Sequence, residues 1–203
     1  MSENLIITIG REYGSGGHEI GKKLAERLGI NCYDKEILAV SAKKSGFSEQ
    51  FLEENDESAQ NSLLYSLVTG IGHARTQPLS VQLYLEQFNA MKEIAAKESS
   101  VFVGRCADYI LREEKDLVTV FTMAPLDARI ARICERNGVD MAEAERMIQK
   151  KDKSRASYYN YYSDKTWGKA NTYKLCLDTS ETGIDGAVEL IARYVELHKS
   201  YLR

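Results

Sequence analysis

Four glycines fall between residues 10 and 17, in the segment GREYGSGGHEIG at 10–21, directly between a short apolar run and the first helical pattern. The run LIITI at 5–9 has the length and residue types of a buried strand. Beyond the glycines, Ile20, Leu24 and Leu28 recur every four positions until Gly29 ends the pattern. A strand, a glycine-rich turn and a helix in that order bring loop amides and a helix N-terminus together, where an anion is stabilised. So many glycines also cost chain entropy that a turn with nothing to accommodate has no reason to lose.

Three readings fit this turn. The first is a phosphate-binding loop. The motif GxxxxGK[ST] supplies a lysine to phosphates and a hydroxyl to magnesium, but here Gly17 and His18 follow Gly16, and Gly10 lies one residue too far upstream. Such a loop needs a displaced cation, Arg11 or Lys22, and Arg11 is favoured because Lys22 stands a turn further along the helix. The second reading is a dinucleotide-binding turn with Asp34 as the ribose-binding acid, although GSGG lacks the GxGxxG spacing. The third is a glycine turn whose helix only packs on a sheet.

The rest of the chain supplies an α/β frame. Further short strands are expected at Ile30–Tyr33, Ser100–Val103, Leu117–Met123 and Tyr173–Asp178, with helical patterns between them. Asp34 is placed to cap a helix carrying Ile37, Leu38 and Ala42. The stripe from Val81 to Ile94 predicts a core-facing helix over 80–97, and Ile184, Val188, Ile191 and Val195 predict the last one. Five strands joined by helical crossovers give a three-layer α/β sandwich with a parallel sheet covered on both faces. The chain reads as one domain of 203 residues, long enough to bury a core. Residues 46–98 are expected to form a helical insertion facing a substrate, and 141–172, which carry little apolar load, a lid.

Charge and cysteine usage narrow the partners. With 27 Lys+Arg against 30 Asp+Glu there is no basic excess for nucleic acid or an anionic membrane, though a local basic pocket is allowed. No run of 18 apolar residues and no signal-peptide core occurs, so a cytoplasmic chain is expected. Cys32, Cys106, Cys134 and Cys176 form no CxxC pair and are expected to be reduced and mostly buried, and His18, His73 and His198 are dispersed. No metal site is expected among the side chains. Arg129, Arg132 and Arg136 share one side of a helix by their i, i+3, i+7 spacing. They read either as phosphate ligands together with Lys151 and Arg155, or as a solvated face paired with Glu135. Arg105 ends the third strand, where it reads as a ligand contact or a strand-end salt bridge. The tyrosines of YYNYY at 158–162 cannot all lie on one helical face.

Taken together, IITIGREYGSGGHEIGKKLAERLG, YDKE, VFVGRCADYIL, KDKSRASYY and YKLCLDTSETGIDGAVELI resemble the cytidylate kinase-like family of P-loop nucleoside monophosphate kinases over nearly the whole chain. The resemblance implies an adenylate-kinase-like fold with a five-stranded parallel sheet, and ATP-dependent phosphoryl transfer with Mg2+ to a small phosphorylated acceptor, a pyrimidine nucleoside monophosphate such as CMP. It implies donor contacts from Gly10, Gly14, Ser15, Gly16, Gly17 and His18, and acceptor contacts from Asp34, Arg105 and Asp108. Arg11, Arg132 and Arg155 are then the expected catalytic residues. Cys106 stands where related kinases have the aspartate of their GRD sequence, and Lys151 where they have a lid arginine. A kinase for a non-nucleotide acceptor and a nucleotide-sensing protein with weak catalysis remain open beside this reading.

Overall fold

A computed structural model describes residues 4–37 and 79–201. Residues 46–78 of the expected insertion lie outside the described residues, as do His73 and most of the helix expected after Asp34.

The described strands are β1 (Ile6–Arg11), β2 (Asn31–Tyr33), β3 (Ser100–Val103), β4 (Leu117–Met123) and β5 (Leu175–Asp178). All pair in parallel, in the order β2-β3-β1-β4-β5. The helices are α1 (Gly17–Leu28), α2 (Leu79–Lys97), α3 (Ala107–Ile110), α4 (Leu126–Asn137), α5 (Met141–Tyr162) and α6 (Thr179–Tyr201). This is the expected five-stranded parallel sheet with helices on both faces.

Alternation along the strands divides the core in two. Ile7 and Ile9 of β1 join Val101, Val118 and Val120 under α1 and α6, whose Ile20, Leu24, Ala187, Ile191 and Val195 complete that layer. Ile6, Phe102 and Leu117 face the other way, against Met91 and Ala95 of α2, Ile110 of α3 and Tyr158 and Tyr159 of α5. A smaller cluster, Ile130, Ile133, Ala144 and Ile148, joins α4 to the first half of α5. The segment read as poor in apolar load is therefore anchored at both ends. Three of its tyrosines turn inward: Tyr158 and Tyr159 are buried and Tyr162 stacks on Tyr84 at 4.1 Å, while Tyr161 is exposed.

Several boundaries differ from the sequence reading. β1 runs on through Gly10 and Arg11, which pair with Phe121 and Thr122 of β4. Gly10 is thus a strand residue, and a Cβ there would lie 2.8 Å from the Phe121 ring. β5 begins two residues later than expected because Tyr173 closes a turn onto the Ala170 carbonyl. Gly183, at φ 64° and ψ −177°, splits α6 into a first turn and the long helix that follows. Among the described residues the cysteines are free thiols, Cys106 buried and the other three half-buried. No helix among them is long and apolar enough to cross a membrane.

Candidate active site

Strand β1 delivers the glycine turn to the C-terminal edge of the sheet, and internal hydrogen bonds fix its shape. The Glu12 amide donates to the Thr122 carbonyl, and the buried Ser15 hydroxyl bonds the Glu12 carbonyl and the Thr122 hydroxyl, each at 2.9 Å. Thr179 Oγ1 donates to the Ser15 carbonyl at 2.7 Å, tying the turn to the start of α6. Gly16, at φ 86°, takes the left-handed conformation that carries the chain into α1. The first helical bond is from the Ile20 amide to the Gly16 carbonyl, so the amides of Gly17, His18 and Glu19 are those a helix start leaves for an anion.

Those amides border a cavity of about 440 Å3 lined by Arg11, Gly14, Gly16, Gly17, His18, Asp34, Arg132, Arg136 and Arg155, among others. Its volume suits a small-molecule ligand. The three α4 arginines all face the turn: Arg129 and Arg132 donate to the carbonyls of Tyr13 and Gly14 at 3.4 and 2.6 Å, and Arg136 to the Tyr13 hydroxyl at 2.8 Å. The i, i+3, i+7 spacing thus marks a face that packs on the glycine turn, with Glu135 lining the same cavity. Arg155 reaches in from α5 and donates to the Arg11 carbonyl at 3.2 Å.

Arg11 fills the place that a side chain at position 17 would need. A Cβ on Gly17 would come 2.6 Å from Arg11 Cβ and 2.7 Å from Thr122 Oγ1. Glycine at the motif's lysine position is therefore required by the side-chain stem at position 11 and by Thr122. Lys22 is exposed on α1 and does not line the cavity.

A second corner lies beside the first, at the end of β3. Gly104, Arg105 and Cys106 take positive φ in succession, 77°, 53° and 56°, which side-chain-bearing residues adopt only at a cost. The turn swings Arg105 inward, 2% exposed, to donate to Asp34 Oδ1 at 2.7 Å. Asp34 Oδ2 lies 2.5 Å from His18 Nδ1. Burial alone would raise the Asp34 carboxyl, but the His18 hydrogen bond and the charges of Arg11 and Arg105 hold it well below the usual carboxylate range. Its oxygens serve these partners, so the capping use expected of Asp34 is replaced by an ion pair with Arg105. Asp108 is buried, which raises its carboxyl, and accepts from the Tyr159 hydroxyl at 2.6 Å. Arg105 and Asp108, with Tyr158, Tyr159, Trp167 and Tyr173, line a small cavity of about 20 Å3, space for about one water.

The structure brings Arg11, Gly14, Gly16, Gly17, His18, Asp34, Arg132 and Arg155 to the larger cavity. Gly10, Arg105 and Asp108 border the smaller one, and Ser15 is turned into the protein. Arg11 and Arg155 border both. Sequence reasoning missed Tyr13 and Thr122, whose partners come from distant segments with no spacing to announce them. Among the described residues no three His, Cys, Asp or Glu side chains gather as a metal site.

The sequence profile of the cytidylate kinase-like family matches residues 6–181. A cytidylate kinase of Methanopyrus kandleri is 27% identical over 207 residues, covering 97% of this chain and 95% of the relative. One of Pyrococcus horikoshii is 24% identical, covering 96% and 90%. Among solved structures, an uncharacterized protein from Eubacterium ventriosum matches with a TM-score of 0.71 at 32% identity, covering 95% of this chain and 99% of the other. Shikimate kinase from Bacteroides thetaiotaomicron, at 17% identity and a TM-score of 0.54 over 95% of this chain and 98% of its own, shares the fold. The chain belongs to the cytidylate kinase-like family and is a phosphotransferase of the nucleoside monophosphate kinase type.

Proposed function

We propose that this member of the family transfers the γ-phosphoryl group of ATP to a pyrimidine nucleoside monophosphate, CMP foremost. The observation that carries the reading is the position of Arg11 and Arg155, which border both the large cavity at the glycine turn and the small one at Arg105. A group passing from a donor at the first to an acceptor at the second would pass both arginines. Phosphoryl transfer spreads negative charge over equatorial oxygens, and fixed cations stabilise it with little reorganisation.

In this reading the amides of Gly17, His18 and Glu19 hold donor phosphate, and Arg11 supplies the charge that the motif lysine gives elsewhere. Arg132 orients the donor and Arg155 closes on the transferring group. Arg105, Asp34 and Asp108 form the acceptor side. Among the described residues no set of side chains gathers for magnesium: the Ser15 hydroxyl is spent within the turn and His18 is tied to Asp34. In this reading the metal enters with the nucleotide as MgATP. Residues 141–172 serve as the lid and 46–98 as the acceptor-side insertion. Both cytidylate kinases of the comparison support CMP as the first acceptor to try.

The test is a coupled ATP-consumption screen over nucleoside monophosphates and small phosphorylated metabolites, with the product identified directly. CMP or another pyrimidine monophosphate should give the highest kcat/KM. A preferred non-nucleotide acceptor would reject the nucleotide part of the proposal. Tight ATP binding with no phosphorylated product from any acceptor would reject transfer itself and favour a sensing role.

A further inference from the structure

Tyr13 stands one residue before the left-handed glycine of the turn, and each of its polar groups is used. Its amide donates to Asp152 Oδ1 of α5 at 2.7 Å. Its carbonyl accepts from Arg129, which also pairs with Asp152 at 2.5 Å. Its hydroxyl accepts from Arg136. Its ring carries two guanidinium groups, Arg136 at 5.2 Å and Arg155 at 5.6 Å from the centroid, both within the range of cation–π attraction. The ring also packs on the small apolar cluster that joins α4 to α5. One turn residue thus gathers arginines from both helices that border the cavity.

We infer that Tyr13 is a positioning residue, which holds Arg155 and Arg136 over the phosphate cavity and sets the resting position of α5 against the glycine turn. The inference rests on the kinase reading for its catalytic consequence but not for its structural one. A guanidinium on a long side chain has many rotamers, and an aromatic face restricts it without consuming its N–H groups. Arg155 Nη1 also donates to the Arg11 carbonyl and Arg136 Nη2 to the Tyr13 hydroxyl, so the ring adds a restraint to those bonds. A carboxylate in the same place would hold the arginine and also cancel its charge. The aromatic face restrains Arg155 without neutralising its positive charge, and the backbone contact from Tyr13 to Asp152, one helical turn before Arg155, keeps the helix in register.

Tyr13→Leu and Tyr13→Phe separate the parts, because both keep the backbone amide and Phe also keeps the ring. Tyr13→Leu should lower kcat about tenfold with a smaller change in acceptor KM, and Tyr13→Phe should restore most of that loss. In an Arg155→Ala background, Tyr13→Leu should cost little more, since the pair acts as a unit. Additive losses, or Phe no better than Leu, would overturn the inference. Hydrogen exchange in the protein without ligand gives a readout that needs no activity: amides 151–157 should exchange faster in Tyr13→Leu than in wild type, with Phe close to wild type. Equal exchange in all three would overturn it even if the enzyme is active. A wild type that transfers nothing in the screen would defeat the kinase reading alone and leave the exchange result to decide the role of Tyr13.

Discussion

At the end of β1 the chain turns through Gly14 and Gly16, at φ 88° and 86°, whereas at the end of β3 it turns through Gly104, Arg105 and Cys106, two of which carry side chains. Both turns sit at the C-terminal edge of a parallel sheet, where ligands bind. The first is relaxed and open, with helix-start amides facing a cavity of about 440 Å3. The second is strained and closed, its arginine buried against Asp34 beside a cavity of about 20 Å3. One corner is ready for an anion as it stands. The other pairs its buried arginine with Asp34, so under the proposed function it would have to exchange Asp34 or Arg105 contacts to receive an acceptor, and His18, bonded to Asp34, is where the two corners meet.

The closed corner should give the largest effect on stability. In Asp34→Asn, Arg105 would lose the carboxylate it pairs with at 2.7 Å, and breaking a buried pair costs about 3–5 kcal/mol. Urea unfolding at neutral pH measures this, and a loss below about 1 kcal/mol would show that Arg105 finds other support. The pH dependence has a definite sign. The folded-state pKa of Asp34 is lowered, so its contribution is complete above the ordinary carboxyl value and is lost as pH falls towards the folded one. Glu12 and Asp108, raised by burial, act the other way, weakening the fold as pH rises past ordinary carboxyl values. Asp34→Asn should therefore flatten the loss of stability below about pH 4 and leave the opposing trend in place.

The open corner should show its largest effect on rate. Arg11→Ala is expected to lower phosphoryl transfer about 100- to 1000-fold, about 3–4 kcal/mol of transition-state stabilisation, with a smaller change in acceptor binding. Steady-state kinetics with both substrates varied would check it. Turnover within about threefold of wild type would end the case for Arg11 as the lysine substitute.

The same contrast explains what the sequence made legible. The five strands are short apolar runs between helical patterns, and the one-sided arginine face of α4 follows from spacing alone. Periodicity does not say where a neighbouring strand stops, so Gly10 and Arg11 read as turn residues although β4 holds them in register. Ser15, inside a glycine motif, reads as a ligand contact, yet its hydroxyl has Thr122 as a partner 107 residues away. Tyr13 had no signal at all, since Arg136 and Asp152 reach it only after both helices dock. Local pattern reports local geometry, and the charge pairing of Asp34 with Arg105 is a property of the assembled edge.

Gly17→Ala probes how tightly the open corner is built. The added methyl group would meet Arg11 Cβ and Thr122 Oγ1 well inside normal contact, and neither is the loose end of a long side chain. Overpacking of this kind costs about 1–3 kcal/mol, and the movement that relieves it displaces Arg11. Stability and transfer should therefore fall together. A variant with normal stability and normal kcat would show that the Arg11 stem has room to move.

The smallest effect is expected where the closed corner is given the residue of the open one. Cys106 holds φ 56°, a left-handed conformation that costs roughly 1–2 kcal/mol for a residue with a side chain. Cys106→Gly removes that cost. Against it stand the greater freedom of glycine in the unfolded chain, about 0.4–1 kcal/mol, and the loss of a buried side chain, worth about 1 kcal/mol. These terms nearly cancel, so thermal or urea unfolding should move by less than about 1 kcal/mol in either direction. Gly14→Ala, which introduces the same strain and brings a Cβ to 3.0 Å from that of Arg129, should lose more. If Cys106→Gly instead lost as much as Gly14→Ala, the turn after β3 would be held by the buried thiol and not merely tolerated in spite of its geometry, and strain would no longer distinguish the two corners.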